Sequence, residues 1–280
     1  SRTIVNTSGN GSYKVKDTAS TLAGAAEALL SDQTIVINDT NTAANTTQIN
    51  QIQTKMASNG GNGTVTYTKL TGSATSLAAN TADIVANVAV TIDETGDNVA
   101  ATVAELNDIQ TAVAGAAGAS LTYTKLRDTS ANIRANTANG AITDVEGIAV
   151  EVTTTSNATE FDAILTAATA NNANGTVAGA VADAGSALTG VTFPNATSIT
   201  ATISAATDLT TVTLDGDVTH IDLNNVADVL LDINDLTGRT ITANGGTYKV
   251  KDTAATLAGA AEALLSDQTI VVDDSSTAAN

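Results

Sequence analysis

The chain repeats itself over a long distance, and that repetition restricts its fold more than any other feature. Residues 246–274 read GTYKVKDTAATLAGAAEALLSDQTIVVDD and residues 11–39 read GSYKVKDTASTLAGAAEALLSDQTIVIND, so Tyr248 repeats Tyr13 at an offset of 235 residues. Upstream, Arg239-Thr-Ile-Thr echoes Arg2-Thr-Ile-Val with a two-residue change in spacing. A chain that starts and stops inside the same unit reads as one period of a tandem array. Each copy in such an array supplies packing and surface rather than a unique pocket.

A shorter period runs inside the long one. Tyr13, Tyr67, Tyr123 and Tyr248 each open a similar phrase: Tyr-Lys-Val-Lys, Tyr-Thr-Lys-Leu, Tyr-Thr-Lys-Leu and Tyr-Lys-Val-Lys. The first three stand 54 and 56 residues apart. Behind each comes a small-residue helical stretch, then an alternating apolar strand at 34–37, 88–92 and 148–152. A second helix candidate closes each unit. The pattern predicts strand, helix, strand, helix over about 55 residues. Asp17 and Thr18 suit the N-cap of the first helix, and Leu22, Ala25 or Ala26, Leu29 and Leu30 form its apolar stripe until Ser31-Asp32 breaks it. The second helices are marked by Ile49, Ile52 and Met56, by Val99, Val103, Leu106, Ile109 and Val113, and by Phe161, Ile164 and Leu165. A strand joined through a helix to another strand predicts a right-handed parallel crossover. The strands opened by Tyr13, Tyr67 and Tyr123 are expected side by side in one continuous sheet.

After about residue 175 the spacing shortens. Alternating runs at 199–203, 209–214 and 218–223 follow each other closely, separated by Asp- or Gly-containing turns, and 230–233 and 240–242 continue the series. Pro194 marks the junction. The prediction is an α/β repeat: an elongated solenoid of parallel strands with crossover helices over 1–174, passing into a β-solenoid-like acidic segment over 175–245. Residues 246–280 then start the next long repeat. A mainly β-solenoid or β-sandwich fold is the alternative.

The apolar content fits a thin core. It reaches 42%, yet includes two Phe, four Tyr, one Met and no Trp, so Ala, Val, Ile and Leu must fill the interior. Low-complexity disorder is the competing reading of so much Thr, Asn, Gly and Ala. The apolar periodicity argues against it, as does a charged fraction of only 14%. Net charge is −18, and between Arg134 and Arg239 there are 13 acidic residues and no Lys or Arg. Nucleic acid and anionic membranes are therefore unfavoured partners. The acidic stretch reads either as a solubilising face or as carboxylates neutralised by Ca²⁺. No cysteine is present, which excludes disulfides, Cys-ligated zinc and thiol catalysis. No run approaches the roughly 18 apolar residues of a membrane span.

The catalytic inventory is nearly empty. The single histidine, His220, lies in an alternating strand with Asp222 on its face, and reads as solvent-facing structure. No Gly-x-Ser-x-Gly, P-loop or His-x-x-x-His is present. The chain is expected not to be an enzyme. The best candidate metal ligands are Asp208, Asp215, Asp217 and Asp222, because the Asp215-Gly216-Asp217 turn places hard oxygen donors close together, as Ca²⁺ prefers. The alternative is a plain Asp-Gly turn. Asp93-Glu94-Thr-Gly-Asp97 and Asp273-Asp274 are further candidates. The four tyrosines read as structural markers along one edge of the stack, and Lys16, Lys69, Lys125 and Lys251 as residues that blunt a strand edge or pair with a carboxylate.

The phrase Tyr-x-Val-x-Asp-Thr-Ala-x-x-Leu-Ala at residues 13–23 and 248–258, followed by a strand ending in Asp, resembles repeats of giant Gram-negative cell-surface proteins. These include cyanobacterial surface and swimming-motility proteins and RTX-type adhesins. Residues 123–152 match less well, with Arg127-Asp128-Thr129-Ser130, and 67–92 carry Gly72-Ser73 in place of Asp-Thr. The Gly-Gly-x-Gly-x-Asp nonapeptides of calcium rolls are absent. The resemblance implies an extracellular, calcium-rich setting and a structural or adhesive role as a fibre, layer or adhesin stalk. Expected partners are neighbouring repeats or further copies associating head-to-tail, with surface glycans as the alternative. An ice-binding Thr face is a third possibility.

Overall fold

The computed structural model describes residues 14–30, 33–58, 63–95, 100–138, 140–188, 192–203, 209–211, 214 and 216–273. It is a mixed α/β structure built from several sheets, and it divides into two compact units, Ser1–Leu126 and Arg127–Asn280. Among the described residues no sheet closes into a barrel, and no helix is long and apolar enough to cross a membrane.

The first unit runs β1 (Lys14–Asp17), α1 (Ala19–Gly24), β2 (Thr34–Ile37), β3 (Ala44–Asn45), α2 (Thr46–Ala57), β4 (Thr64–Thr66), β5 (Lys69–Gly72), α3 (Ala74–Ala79), β6 (Ala89–Ile92), α4 (Val103–Gly115) and β7 (Ser120–Thr122). Its sheets are ordered β1-β2-β4 and β3-β5-β6-β7, with every pair parallel. Parallel neighbours follow from the sequence, because each helix carries the chain back to the end from which the strand started. Ile35 and Ile37 of β2 and Val90 and Ile92 of β6 turn inward, while their alternate neighbours do not. Leu22, Ile49, Ile52, Leu77, Leu106 and Ile109 of the helices are likewise nearly inaccessible.

Helix starts are set by caps. Thr18, Asn45, Ser73 and Thr102 each accept the N–H three residues on, and Asn45–Gln48 and Thr102–Glu105 close full capping boxes. Thr102 starts α4 at Val103, four residues later than the stripe beginning at Val99 implied; Val99 lies outside the described residues. The first helix is shorter than its stripe. It ends at Gly24, Ala25 and Ala26 are extended, and a single 3₁₀ turn covers Glu27–Leu29. Lys55 Nζ, from α2, donates to Ala25 O at 2.7 Å and also to Ala23 O, which satisfies carbonyls freed by that break. Leu22 and Leu30 are buried, but Leu29 is 55% exposed.

β8 (Lys125–Asp128) crosses the division. The second unit continues with α5 (Ser130–Ala135), β9 (Thr137–Ala138), β10 (Ala141–Ile142), β11 (Ala149–Val152), α6 (Ala158–Ala168), β12 (Thr176–Ala178), β13 (Ala180–Ala184), β14 (Ser198–Thr202) and β15 (His220–Asp222). It closes with β16 (Val229–Leu231), α7 (Ile233–Leu236), β17 (Thr240–Thr242), β18 (Tyr248–Asp252), α8 (Ala254–Gly259), α9 (Glu262–Leu265) and β19 (Thr269–Val272). The sheet β13-β14-β15-β17 is wholly parallel, and the chain returns to it every 18 to 20 residues. A second parallel sheet, β16-β18-β19, takes one strand between β15 and β17 and two after β17. Only the β9–β10 hairpin is antiparallel among the described pairs. Many turns are held by Asn or Asp at positive φ, including Asn224, Asn225, Asp228 and Asn244. Their side chains tolerate the left-handed region better than most, which accounts for part of the chain's Asn content.

Three expectations are corrected. β1, β5 and β8 lie in three different sheets, because a short crossover helix leads each to a nearby later strand, β2, β6 and β11, instead. Among its described residues the run 209–214 is not a strand: Leu209–Thr211 is a 3₁₀ turn, and Arg239 draws the carbonyls of Leu214 and Val218 onto its guanidinium at 3.4 and 3.0 Å, while 212 and 213 lie outside the described residues. The strand at 230–233 ends at Leu231, where Asp232 caps α7.

The two long-range copies fold alike. β1–α1–β2 and β18–α8–β19 share register, Lys14↔Thr34 and Lys249↔Thr269, and share the cap made by Thr18 or Thr253. Two glycines separate backbone demand from tolerance. A Cβ on Gly175 would sit 2.1 Å from Ala168 O, whereas one on Gly24 would meet nothing within 4 Å. Gly175→Ala is expected to destabilise by at least about 2 kcal/mol, and Gly24→Ala to be neutral or stabilising by up to about 1 kcal/mol. Urea denaturation of the two variants checks both signs.

Candidate functional site

The most distinctive arrangement of chemical groups is a carboxylate that clamps the Thr-Lys of the tyrosine phrase. Asp39, just past β2, is almost fully buried. Its carboxylate accepts from Thr68 N (2.5 Å), Lys69 N (2.7 Å) and Thr68 Oγ1 (3.0 Å). Burial alone would raise its pKa, but these donors outweigh it and hold the group below the usual carboxylate value. Glu94, just past β6, repeats the arrangement by accepting from Lys125 N (2.8 Å), Thr124 N (3.1 Å) and the Thr124 hydroxyl. Carboxylate and clamped Thr-Lys stand 29 to 31 residues apart in both. Sequence places Lys69 and Lys125 at a strand edge or beside a carboxylate and Glu94 near a cation, but not the clamp on the Thr-Lys main chain. The available signal is an acid at the same place after the strands 34–37 and 88–92, Asp39 and Glu94.

The tyrosines occupy unlike settings. Tyr67 is buried between β4 and β5, and its hydroxyl donates to Asp83 O. Burial, with the Asp83 charge second, raises its pKa. Asp83 is itself buried, accepts from Gln53 Nε2 at 3.2 Å, and has its pKa raised chiefly by desolvation. Tyr123 and Tyr248 are half-buried, and Tyr13 lies outside the described residues.

Of the four proposed calcium ligands, Asp208 and Asp215 lie outside the described residues. Asp217 occupies a turn. Asp222 Oδ1 accepts from Asn224 N and Asn244 Nδ2, both at 2.9 Å, and so stabilises a turn. Among the described residues no group of three His, Cys, Asp or Glu is arranged to hold a metal ion. Asp93 Oδ1 accepts from Thr95 N at 3.0 Å, Asp273 lies 3.7 Å from Lys251 Nζ, and Asp97 and Asp274 are outside the described residues. His220 Nδ1 shares a 2.8 Å hydrogen bond with the Thr219 hydroxyl.

The second unit holds a recess of about 840 Å³ between the β10 hairpin and the outer face of α6, lined by Ile142, Asp144, Glu146, Asp162, Thr166 and Asn171 among others. Its rim carries three acids and no Lys or Arg. Asn136 and Thr143 hydrogen-bond to Asp144, and Asn171 to Glu146. Such a rim repels anions. Comparisons with protein-family models, with curated proteins and with solved structures found no match.

Two carboxyls give opposite pH dependence. Asp235 is buried in the α7 capping box, 3.8 Å from Arg239 Nη1. Desolvation first, and the Asp232 charge second, raise its pKa to about 6. A carboxyl raised in the folded state contributes stability below its unfolded pKa and loses it as pH rises towards 6, by up to about 2–3 kcal/mol. Asp235→Asn is therefore expected to flatten the stability difference between pH 4.5 and pH 7.5. Chemical denaturation at the two pH values checks it. Asp39 has the reverse sign, contributing above the usual Asp pKa and losing that contribution in acid. Asp39→Ala is expected to cost about 2–3 kcal/mol at pH 7, because buried N–H donors lose a charged acceptor, and about 1 kcal/mol less at pH 3. The more accessible Glu94 is expected to cost about 1 kcal/mol on substitution by Ala. Thermal melts of both variants measure the contrast.

Proposed function

We propose that this chain is a non-catalytic structural module of a secreted cell-surface protein, whose repeated units stack as a solenoid to extend, coat or link. The observation that carries the reading is repetition of geometry at two scales. At the long scale, β18–α8–β19 repeats β1–α1–β2 in register and cap. At the short scale, the Asp39 clamp recurs at Glu94 with the same donors. Side chains that recur in this way are joining one coil to the next, and a reaction centre has no need of such copies. The net charge of −18 keeps a long array soluble and its lateral neighbours apart. The absence of cysteine suits a chain exported without crosslinking. The resemblance of the Tyr-x-Val-x-Asp-Thr-Ala phrase to surface-protein repeats supports the cell-surface setting.

The test is length scaling. Residues 14–248, joined head-to-tail in one, two and four copies, are expected to appear by negative-stain imaging as particles of constant width. Their length should grow in proportion to copy number. Compact particles that widen with copy number would overturn the reading.

A further inference from the structure

The near-identical copies differ in what covers them. In the first, β2 lies between β1 and β4, and α2 packs on α1. In the second, β19 is the last strand of its sheet, and among the described residues none pairs with its outer edge. The exposures follow. Ile35 and Ile37 are 0% and 4% accessible, while their equivalents Ile270 and Val272 are 39% and 45%. These are two of the few large apolar side chains the described residues leave exposed.

We propose that this open face, formed by β19 with α8 and α9, is a docking surface for a helix–strand segment with the chemistry of Thr46–Thr66. The first copy specifies the occupant in detail. It presents Ile49, Ile52 and Met56 on one helical face, a lysine at Lys55, and then Gly-Thr-Val-Thr. Lys55 Nζ donates to Ala23 O and Ala25 O, whose counterparts are Ala258 and Ala260. Thr64 N donates to Gln33 O at 3.3 Å and Thr66 Oγ1 to Ile35 O at 3.2 Å, so Gln268 and Ile270 carbonyls are the matching acceptors. The register is Thr64↔Thr269, Val65↔Ile270 and Thr66↔Val271, carried over from Thr64↔Thr34 through the duplication. Glycine is required at the start of the incoming strand. A Cβ on Gly63 would lie 2.5 Å from Gln33 O, so a larger residue would lift the strand from its partner. Main-chain pairing at a sheet edge supplies the attachment, and the alternate side chains and the lysine supply selectivity.

The test appends Thr46–Tyr67 directly after Asn280, which is possible because Ala278-Ala279-Asn280 repeats Ala43-Ala44-Asn45. Backbone hydrogen exchange over Thr269–Val272 is then compared with that of the unextended chain. The expected result is slowing by at least about tenfold, the factor that 1.4 kcal/mol supplies. The slowing should vanish when the appended copy carries Ile49→Asp and Ile52→Asp, and weaken when it carries Gly63→Ala. No slowing, or equal slowing with the disrupted extension, would overturn the proposal. Self-association of the unextended chain that Ile270→Lys abolishes would also overturn it, by making a second copy the occupant. The proposal rests on the structural-module reading, but the two fail separately. Concatemers that widen while β19 is still protected would remove only the function. Extended concatemers with β19 unprotected would remove only the docking surface.

Discussion

Every turn out of a short strand leaves main-chain donors and acceptors that the sheet does not use, and burying them unpaired would cost about as much as a whole strand's packing returns. In this chain a side chain some 20 to 30 residues away in sequence meets many of these groups. Asp39 and Glu94 take the N–H groups that open β5 and β8. Asp183 and Asp252 each reach back to the first N–H of a helix, at Ala158 and Ile233, and the Thr154 hydroxyl does the same at Ser130. Lys55 and Arg239 perform the complementary task for carbonyls. These contacts tie strands and helices that are distant in sequence to one another, and the small apolar side chains then fill what space remains.

That order of importance explains the unusual composition. Strands of two to five residues and helices of four to 13 residues bury little area each, so no large aromatic centre is required. Ala, Val, Ile and Leu suffice, with the Phe161–Phe193 edge-to-face pair, centroids 5.5 Å apart, as the one ring contact described. The helix caps are mostly Thr, Ser or Asn, but the side chains that reach a strand or helix start from distant positions in the chain include the acids Asp39, Glu94, Asp183 and Asp252, because such an N–H prefers a negative acceptor. Part of the net charge is therefore structural as well as solubilising.

What the sequence disclosed is what depends on neighbours within a few residues. Thr18 as a cap, Ile35 and Ile37 as an inward face, and Ile49, Ile52 and Met56 as one stripe are all evident from spacing, and so is the equivalence of the two long copies. What depends on a distant partner was hidden. Nothing near Gly24 announces that α1 must end there, because the lysine that receives its carbonyls is in α2. Nothing near Asp39 names Thr68. The alternating run at 209–214 reads as a strand by period, yet it opens on a 3₁₀ turn and the Leu214 carbonyl at its end is held by Arg239, 25 residues on. The placement of β1, β5 and β8 in separate sheets is likewise a matter of crossover length, which a common opening phrase does not encode. For the site, the sequence located the acidic turns but not the partners that many of those acids already have.

The spacing of these partners has a kinetic meaning. Strand pairs and clamps join residues roughly 20 to 30 apart, and the pattern restarts rather than waiting for the far end of the chain. Loop closure at that separation is entropically inexpensive, and topologies with near-neighbour contacts fold fast for their size. Such a chain can gain order locally, each finished strand pair offering an edge to a strand some 20 to 30 residues on. Local contacts also mean that a strand at the edge of its sheet, with a partner on one side only, is where exchange of backbone hydrogens begins.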